Sequence, residues 1–377
     1  MTDGIFKGAG RFGFGLMRLP QAGADGKGGS DVARTMAMVD RFIAAGGRYF
    51  DTAWAYGDSE DTARQALVER YPRESFFLAT KMAPWLGEGT REAAVAQFET
   101  SLRRTGAGYF DFYLMHNLGE GRTAGFDQLG LWEFAKEQKA AGKIRHIGFS
   151  FHSTAEELER IIEAHPEAEF VQLQLNYADW EDPVVQSRRN YEVVRRAGLP
   201  IVVMEPVKGG LLADPPASVK AVFDRAGRGS AAAWALRFAL GLEGVAMVLS
   251  GMSTEAQMDE NVATAAAFEG LSDADRAVLE EARAELAKIP MVPCTRCGYC
   301  MKACPANVGI PGMFSAYNEL LRFGNLKAAQ NLVGWRVDHA GTKRPSECLD
   351  CGACEAACPQ RIPIREKLHE AVKALGM

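Results

Sequence analysis

All eight cysteines of the chain fall in two short runs. Cys294, Cys297, Cys300 and Cys304 are followed by Pro305; Cys348, Cys351, Cys354 and Cys358 are followed by Pro359. Each run reads C-x2-C-x2-C-x3-C-P, the spacing with which two-cluster bacterial ferredoxins hold 4Fe–4S cubanes. A cubane has four irons, each needing one thiolate. Three closely spaced cysteines wrap three corners, and the turn enforced by proline carries the fourth away to the other cluster. The spacing therefore assigns Cys294, Cys297, Cys300 and Cys358 to one cluster, and Cys348, Cys351, Cys354 and Cys304 to the second. Zinc motifs instead pair two C-x2-C knuckles across a wider gap. Disulfides are disfavoured because no secretory signal precedes the runs.

A second set of residues suits proton transfer. Asp51 ends "YFD", Tyr56 lies in "DTAWAYGD", Lys81 ends "FFLATK" and His116 ends "DFYLMH". Reducing a carbonyl requires a proton for the oxygen as well as electrons for the carbon. A tyrosine has an ordinary pKa of about 10; a neighbouring Lys81 ammonium is expected to lower it. Asp51 would hold Lys81 charged, and His116 would donate to the substrate oxygen. Singly, each has a bland structural reading; the order and placement of the set carry the chemistry. Trp54 and Trp85 flank these positions, either lining a pocket or filling the core.

Eight near-continuous apolar runs must position this set: 12–19, 49–53, 76–81, 111–117, 146–152, 170–176, 201–206 and 245–251. Such runs mark strands buried on both faces of a parallel sheet. Between them lie helical patterns, for instance 31–47 and 90–106, each closed by glycine. Eight strand–helix units in under 290 residues predict a (β/α)8 barrel. A doubly wound sheet is the alternative from pattern alone, and the strand count favours the barrel. The carboxyl ends of barrel strands converge on one face, where Asp51, Lys81 and His116 would meet. "AKIPMVP" (287–293) reads as a linker, giving a barrel over 1–288 and a small, mainly helical ferredoxin-like domain over 289–377. "GAGRFG" (8–13) matches a dinucleotide fingerprint, but a strand-like segment follows it where a helix is required. It is read as a turn into the first strand.

The composition, 47% hydrophobic and 24% charged with a net charge of -5 over 377 residues, is that of an ordinary globular chain. It offers no basic footprint for nucleic acid. The N-terminus lacks the pattern of a signal peptide, and a cytoplasmic location is expected. The most apolar stretch, 230–251, is broken by Arg237, Glu243 and three glycines, and is read as a helix and a strand rather than a membrane span.

The segments "YFDTAWAYGDSE", "FFLATK", "DFYLMHN", "GKIRHIGFS" and "VQLQLNY" resemble the aldo/keto reductase family, over residues from about 10 to 265. That family is a (β/α)8 barrel that usually uses NADPH, and its Asp, Tyr, Lys and His fall on Asp51, Tyr56, Lys81 and His116. With the cysteine runs, the chain looks like the branch carrying a C-terminal dicluster 4Fe–4S domain. The long gap between the runs resembles helical dicluster domains attached to larger oxidoreductases. The resemblance puts Ser150 and Gln172 at the nicotinamide carboxamide, but the Asn position reads Phe151. Met204, with Glu205 next, stands where a tyrosine commonly stacks on the ring. Gly251 and Gln257 occupy the two basic positions that take a 2′-phosphate, while Asn261 matches. The helix N-terminus at Ser253 or Thr254 could take a phosphate; equally, Thr254 and Gln257 form a T-x-x-Q capping box. NADH, NADPH and no nicotinamide thus all stay open.

The sequence reads as an iron–sulfur oxidoreductase acting on a carbonyl or related small organic molecule. Tyr56 would be the proton donor, with two clusters relaying electrons to or from a partner such as a ferredoxin. Hydride moves two electrons together and each cluster one, a mismatch that a flavin bridges elsewhere; no flavin motif is visible. The alternative is a conventional NAD(P)H carbonyl reductase whose cluster domain is structural or a docking module.

Overall fold

The computed structural model describes residues 4–23, 28–119 and 121–377. Residues 1–3 of the N-terminal stretch read above lie outside them. The chain divides into two compact units, one of residues up to Leu212 with Ala232–Arg276, the other of Ala213–Ala231 with Ala277–Met377.

Eight strands form a closed, all-parallel barrel in the first unit: β1 (Phe12–Gly15), β2 (Tyr49–Asp51), β3 (Phe77–Met82), β4 (Phe110–Leu118), β5 (Ile144–Phe151), β6 (Phe170–Gln174), β7 (Ile201–Met204) and β8 (Val245–Gly251). β8 returns to pair with β1, setting Phe12 opposite Val248 and Gly15 opposite Gly251. Every expected strand is present. The run 12–19 is strand only to Gly15, after which Leu16–Arg18 wind into a 3-10 turn. Ser253 Oγ donates to the Arg18 carbonyl at 2.6 Å, a tertiary bond that no local pattern announces.

Successive side chains on a strand point to opposite faces. Tyr49, Ala79, Phe112, Leu114, Phe170 and Met247 therefore share the barrel interior, where they form one buried cluster. Residues of the opposite parity, such as Phe50, Leu78 and Tyr113, pack outward against the helices. Phe6 plugs the amino end of the strands, stacking on Phe112 at 4.6 Å and meeting Phe170 edge-on at 5.7 Å. The glycine-rich stretch after it is a turn, with Gly8 and Gly10 at φ of 83° and 80°, leading into β1. Phe112→Ala removes the residue on which this plug rests. It should cost about 3–5 kcal/mol, read as a lowered urea midpoint at constant m-value.

The helices begin and end where their caps dictate. Asp31 caps Val32–Ala44 by accepting from Arg34 N at 3.0 Å. Thr90 caps Arg91–Thr105, which stops at Gly106 with φ 63°. The 230–251 stretch is the helix Ala231–Leu240 followed by β8, and no helix among the described residues is long and apolar enough to cross a membrane.

The second unit holds both cysteine runs. Its main helix, Ile310–Phe323, buries Ile310, Met313, Phe314 and Tyr317, an i, i+3, i+4, i+7 stripe. Leu326–Val333 and Ile364–Leu375 pack beside it. The sequence repeat is also a backbone repeat. Arg296 and Asp350 have φ of 57° and 52°, Gly298 and Gly352 80° and 74°, and Asn307 and Arg361 52° and 53°. The left-handed turn serves the sulfur: Asp350 N donates to Cys348 Sγ at 3.4 Å, and the Arg296 N–H bonds to Cys294 in the same way.

Candidate active site and cluster ligands

Alternation along β2, β3 and β4 brings Asp51, Lys81 and His116 inward at the carboxyl end of the barrel, and the loop after β2 returns Tyr56 over them. Lys81 Nζ donates to Asp51 Oδ1 at 2.5 Å and to the Thr52 carbonyl at 2.7 Å, both side chains being buried. The same ammonium lies 4.8 Å from the centre of the Tyr56 ring. Burial opposes the charge on Lys81, but Asp51 and Tyr56 together hold it above its ordinary value. His116 meets the Tyr56 ring edge-on at 5.6 Å and Trp85 at 5.4 Å, with its Nδ1 unpartnered. Trp85 thus borders the site. Trp54 instead faces Arg104, 5.9 Å from its ring.

One electrostatic expectation is reversed. Lys81 does pull Tyr56 down, yet burial is the larger influence and the phenol ends above its ordinary value. Tyr56 is therefore a neutral, fully protonated donor at physiological pH. Burial first, then the Lys81 charge, hold His116 well below the ordinary histidine value, so its imidazole is neutral too. A histidine depressed on folding binds fewer protons folded than unfolded below pH 6.5. Stability from this residue should fall as pH drops through that range. The slope should vanish in His116→Gln, measured by urea unfolding at stepped pH. Asp51→Asn strips the partner from a buried ammonium and should cost about 3–5 kcal/mol in the same assay.

Of the proposed nicotinamide contacts, Ser150 and Gln172 lie opposite each other on β5 and β6. Ser150 Oγ accepts from Asn117 N at 2.7 Å, which fixes the left-handed residue beside His116. Gln172 is buried with its Oε1 unpartnered, a vacant acceptor of the kind a carboxamide N–H would fill. Met204 closes β7, and Glu205 pairs loosely with Arg18 at 3.8 Å. A Cβ on Gly251 would meet the aliphatic stem of Arg18 at 3.4 Å, while the Arg18 guanidinium reaches towards Glu205. Thr254 caps the helix Glu255–Ala266 by accepting from Gln257 N at 3.2 Å, while Gln257 Oε1 accepts from Ser253 N at 2.8 Å. The Thr254 half of the capping box is thus formed, while the Gln257 side chain reaches one residue further back, to Ser253 N instead of Thr254 N. Asn261 is buried and donates to Ser250 Oγ at 3.2 Å.

Sequence reasoning missed a polar network between β6 and β7. Lys208 Nζ donates to Asp179 at 2.8 and 3.1 Å, and the Gln174 and Asn176 amides donate to the same carboxylate at 2.8 and 2.9 Å. Burial is the largest single influence and raises Asp179, but the Lys208 charge and the hydrogen bonds from Lys208, Asn176 and Gln174 together hold it below the usual carboxylate range. Asn176 also donates to the Glu205 carbonyl at 3.1 Å, anchoring that loop. The alternating polar residues Gln174 and Asn176 after an apolar run were the one available signal.

The cysteines surround two hollows. Cys294, Cys297, Cys300 and Cys358 line one of about 330 Å³. Cys304, Cys348, Cys351 and Cys354 line the other, of about 340 Å³. Each hollow therefore joins three cysteines of one run to the last of the other. Burial and the neighbouring thiols push Cys300 up to about 11, and burial raises Cys294 and Cys354. Thiols this reluctant to ionise need a bound cation to become thiolates. Among the described residues no three His, Cys, Asp or Glu side chains converge on a single ion, and four thiols drawn from both runs around one hollow suit a cubane.

Comparison with known proteins matches two families along the chain. The Aldo/keto reductase family model matches residues 11–284, and a 4Fe-4S dicluster domain model matches residues 293–362. Aldo-keto reductase str7 of Strobilurus tenacellus is 32% identical over 209 residues, 53% of this chain and 59% of that protein. An aldo-keto reductase of Mycolicibacterium smegmatis is 30% identical over 199 residues, 52% of this chain and 68% of that protein. The chain thus spans 59% and 68% of these two relatives' lengths. Aldo-keto reductase AKR11C1 from Bacillus halodurans superposes with a TM-score of 0.59 at 23% identity, over 72% of this chain and 91% of that one. An aldo-keto reductase from Klebsiella pneumoniae in complex with NADPH gives 0.56 at 21%, over 71% and 89%.

Proposed function

Because the chain belongs to the aldo/keto reductase family and carries a 4Fe-4S dicluster domain, we propose that it is an iron–sulfur oxidoreductase reducing, or in reverse oxidising, a carbonyl or related small organic substrate. In this reading residues 1–288 are the catalytic barrel and residues 289–377 the electron-handling domain. The observation that carries it is the buried Lys81 ammonium, held by Asp51 at 2.5 Å and lying against the Tyr56 ring. A bound nicotinamide would supply a hydride, and each cluster one electron at a time.

Every proton step belongs to the chain. Tyr56 presents its O–H to the substrate oxygen. As that proton leaves, Lys81 stabilises the phenolate, and Asp51 keeps Lys81 charged. Neutral His116 donates an N–H to the same oxygen and so fixes which face of the substrate lies over the reacting centre. Trp85 covers the imidazole and limits water. Cys294, Cys297, Cys300 and Cys358 would hold one cluster, and Cys304, Cys348, Cys351 and Cys354 the other, in hollows that fit them.

A second reading, a conventional NAD(P)H carbonyl reductase with a structural cluster domain, is favoured by the orphaned Oε1 of Gln172. Anaerobic purification with iron, sulfide and flavin analysis, then turnover with NADH, NADPH or a reduced ferredoxin, separates the two. The relay reading expects ferredoxin-driven turnover that Cys297→Ala abolishes. A folded Cys297→Ala protein reducing aldehydes with NADPH at the parental rate would overturn it.

A further inference from the structure

The two cluster hollows are copies of one another in backbone and unlike in charge. Counterpart positions share their left-handed turns, yet Arg296 corresponds to Asp350, Lys302 to Ala356 and Arg361 to Asn307. Around the first hollow, the lining segments 289–318 and 356–364 contain no Asp or Glu at all, and carry Arg296, Lys302 and Arg361. Around the second, Glu347, Asp350 and Glu355 flank the cysteines. The nearby cations there are already engaged: Arg365 with Glu355 at 3.0 Å and Asp350 at 3.7 Å, Lys343 with Glu347 at 4.0 Å. Residues 293–377 hold eleven Lys and Arg against seven Asp and Glu, in a chain that holds 43 against 48 overall.

Each hollow also has an outlet. Cys297 and Cys351, again counterparts, are the exposed ligands, so both clusters could exchange electrons at the surface. A cluster with four thiolates is itself anionic. An acidic protein approaches such an edge only where cations surround it; at the second edge the cations are paired with carboxylates and leave the cluster's own charge uncompensated. Beside the first outlet Tyr299 is 54% exposed, an aromatic of the kind that anchors interfaces.

We propose that the first-cluster edge, centred on Cys297 with Arg296, Lys302, Arg361 and Tyr299, is the docking surface for an acidic one-electron carrier protein. The inference rests on the relay reading for its purpose, but its test does not. Charge steering of this kind acts on encounter and weakens with salt.

The second repeat supplies the variant. Arg296→Asp, Lys302→Ala and Arg361→Asn install the residues found at the counterpart positions; 296 and 361 share a left-handed φ with their counterparts, and 302 and 356 both lie in short helices, so the fold should accept them. The full-length, cluster-loaded protein is titrated with an acidic plant-type 2Fe–2S ferredoxin, and Kd is read by thermophoresis at low and high ionic strength. The triple variant should bind at least tenfold more weakly than the parent and lose most of the salt dependence, with unchanged iron and sulfide content. Glu347→Lys with Asp350→Lys should leave Kd within about twofold. Parental affinity in the triple variant overturns the proposal, as does a parent that does not bind, or loss of binding confined to the second-hollow variant. If the parent binds with the expected charge dependence but ferredoxin never drives turnover, the docking surface stands and the relay reading falls.

Discussion

Tyr56→Phe should lower turnover by roughly 10²–10⁴-fold, the usual range for losing a positioned proton donor. The substitution is narrow. The phenyl ring that Lys81 approaches at 4.8 Å and His116 meets at 5.6 Å is kept, and only the hydroxyl goes. Substrate affinity and cluster content should therefore stay near parental, with the loss confined to kcat. The phenol's raised value adds a pH signature. The parent's donor should remain protonated well past neutrality, so turnover should not fall on the alkaline side below about pH 10. A Tyr56→Phe protein within threefold of the parent would remove Tyr56 from the chemistry and return His116, neutral and unpartnered at Nδ1, as the candidate donor.

Cys304→Ala should abolish the cluster of the second run, not of its own. The hollow containing Cys304 is walled by Cys348, Cys351 and Cys354. The expected result is loss of about half the iron and sulfide, with the same loss in Cys358→Ala. Pairwise variants decide which half. Cys304→Ala combined with Cys351→Ala should be no worse than either alone, because both strike one site. Cys304→Ala combined with Cys297→Ala should leave a nearly iron-free protein. Additivity fails within a shared site and holds between separate ones. The opposite pattern would mean that each run holds its own cluster.

The barrel was legible because strands buried on both faces cannot afford polar residues, and so stand out as apolar runs. Asp51, Lys81 and His116 were legible for the complementary reason: each is a polar residue closing such a run. What escaped depended on contacts distant in sequence. The 3-10 turn at Leu16–Arg18 hangs on Ser253, far along the chain, and nothing near Arg18 foretells its place beside Gly251. The Asp179–Lys208 pair joins loops after different strands, and neither residue belongs to a motif. The sign of the Tyr56 shift escaped for another reason. Sequence names the neighbouring charge but not the depth of burial, and here burial outweighs the charge. The cysteines grouped around each hollow are the sets that the spacing of the two runs suggests.

The exchange of fourth ligands between the two hollows also sets an order of assembly. Cys358 is the last cysteine made, yet it belongs to the hollow whose first wall is the earliest, Cys294. During synthesis the site begun first can only be finished last. Meanwhile Cys304 waits for three partners that are translated well after it. Neither cofactor can be retained firmly by a nascent chain that has exposed a single run. On the proposed ligation, iron–sulfur delivery would thus follow synthesis of both runs, and one cluster would not be completed long before the other.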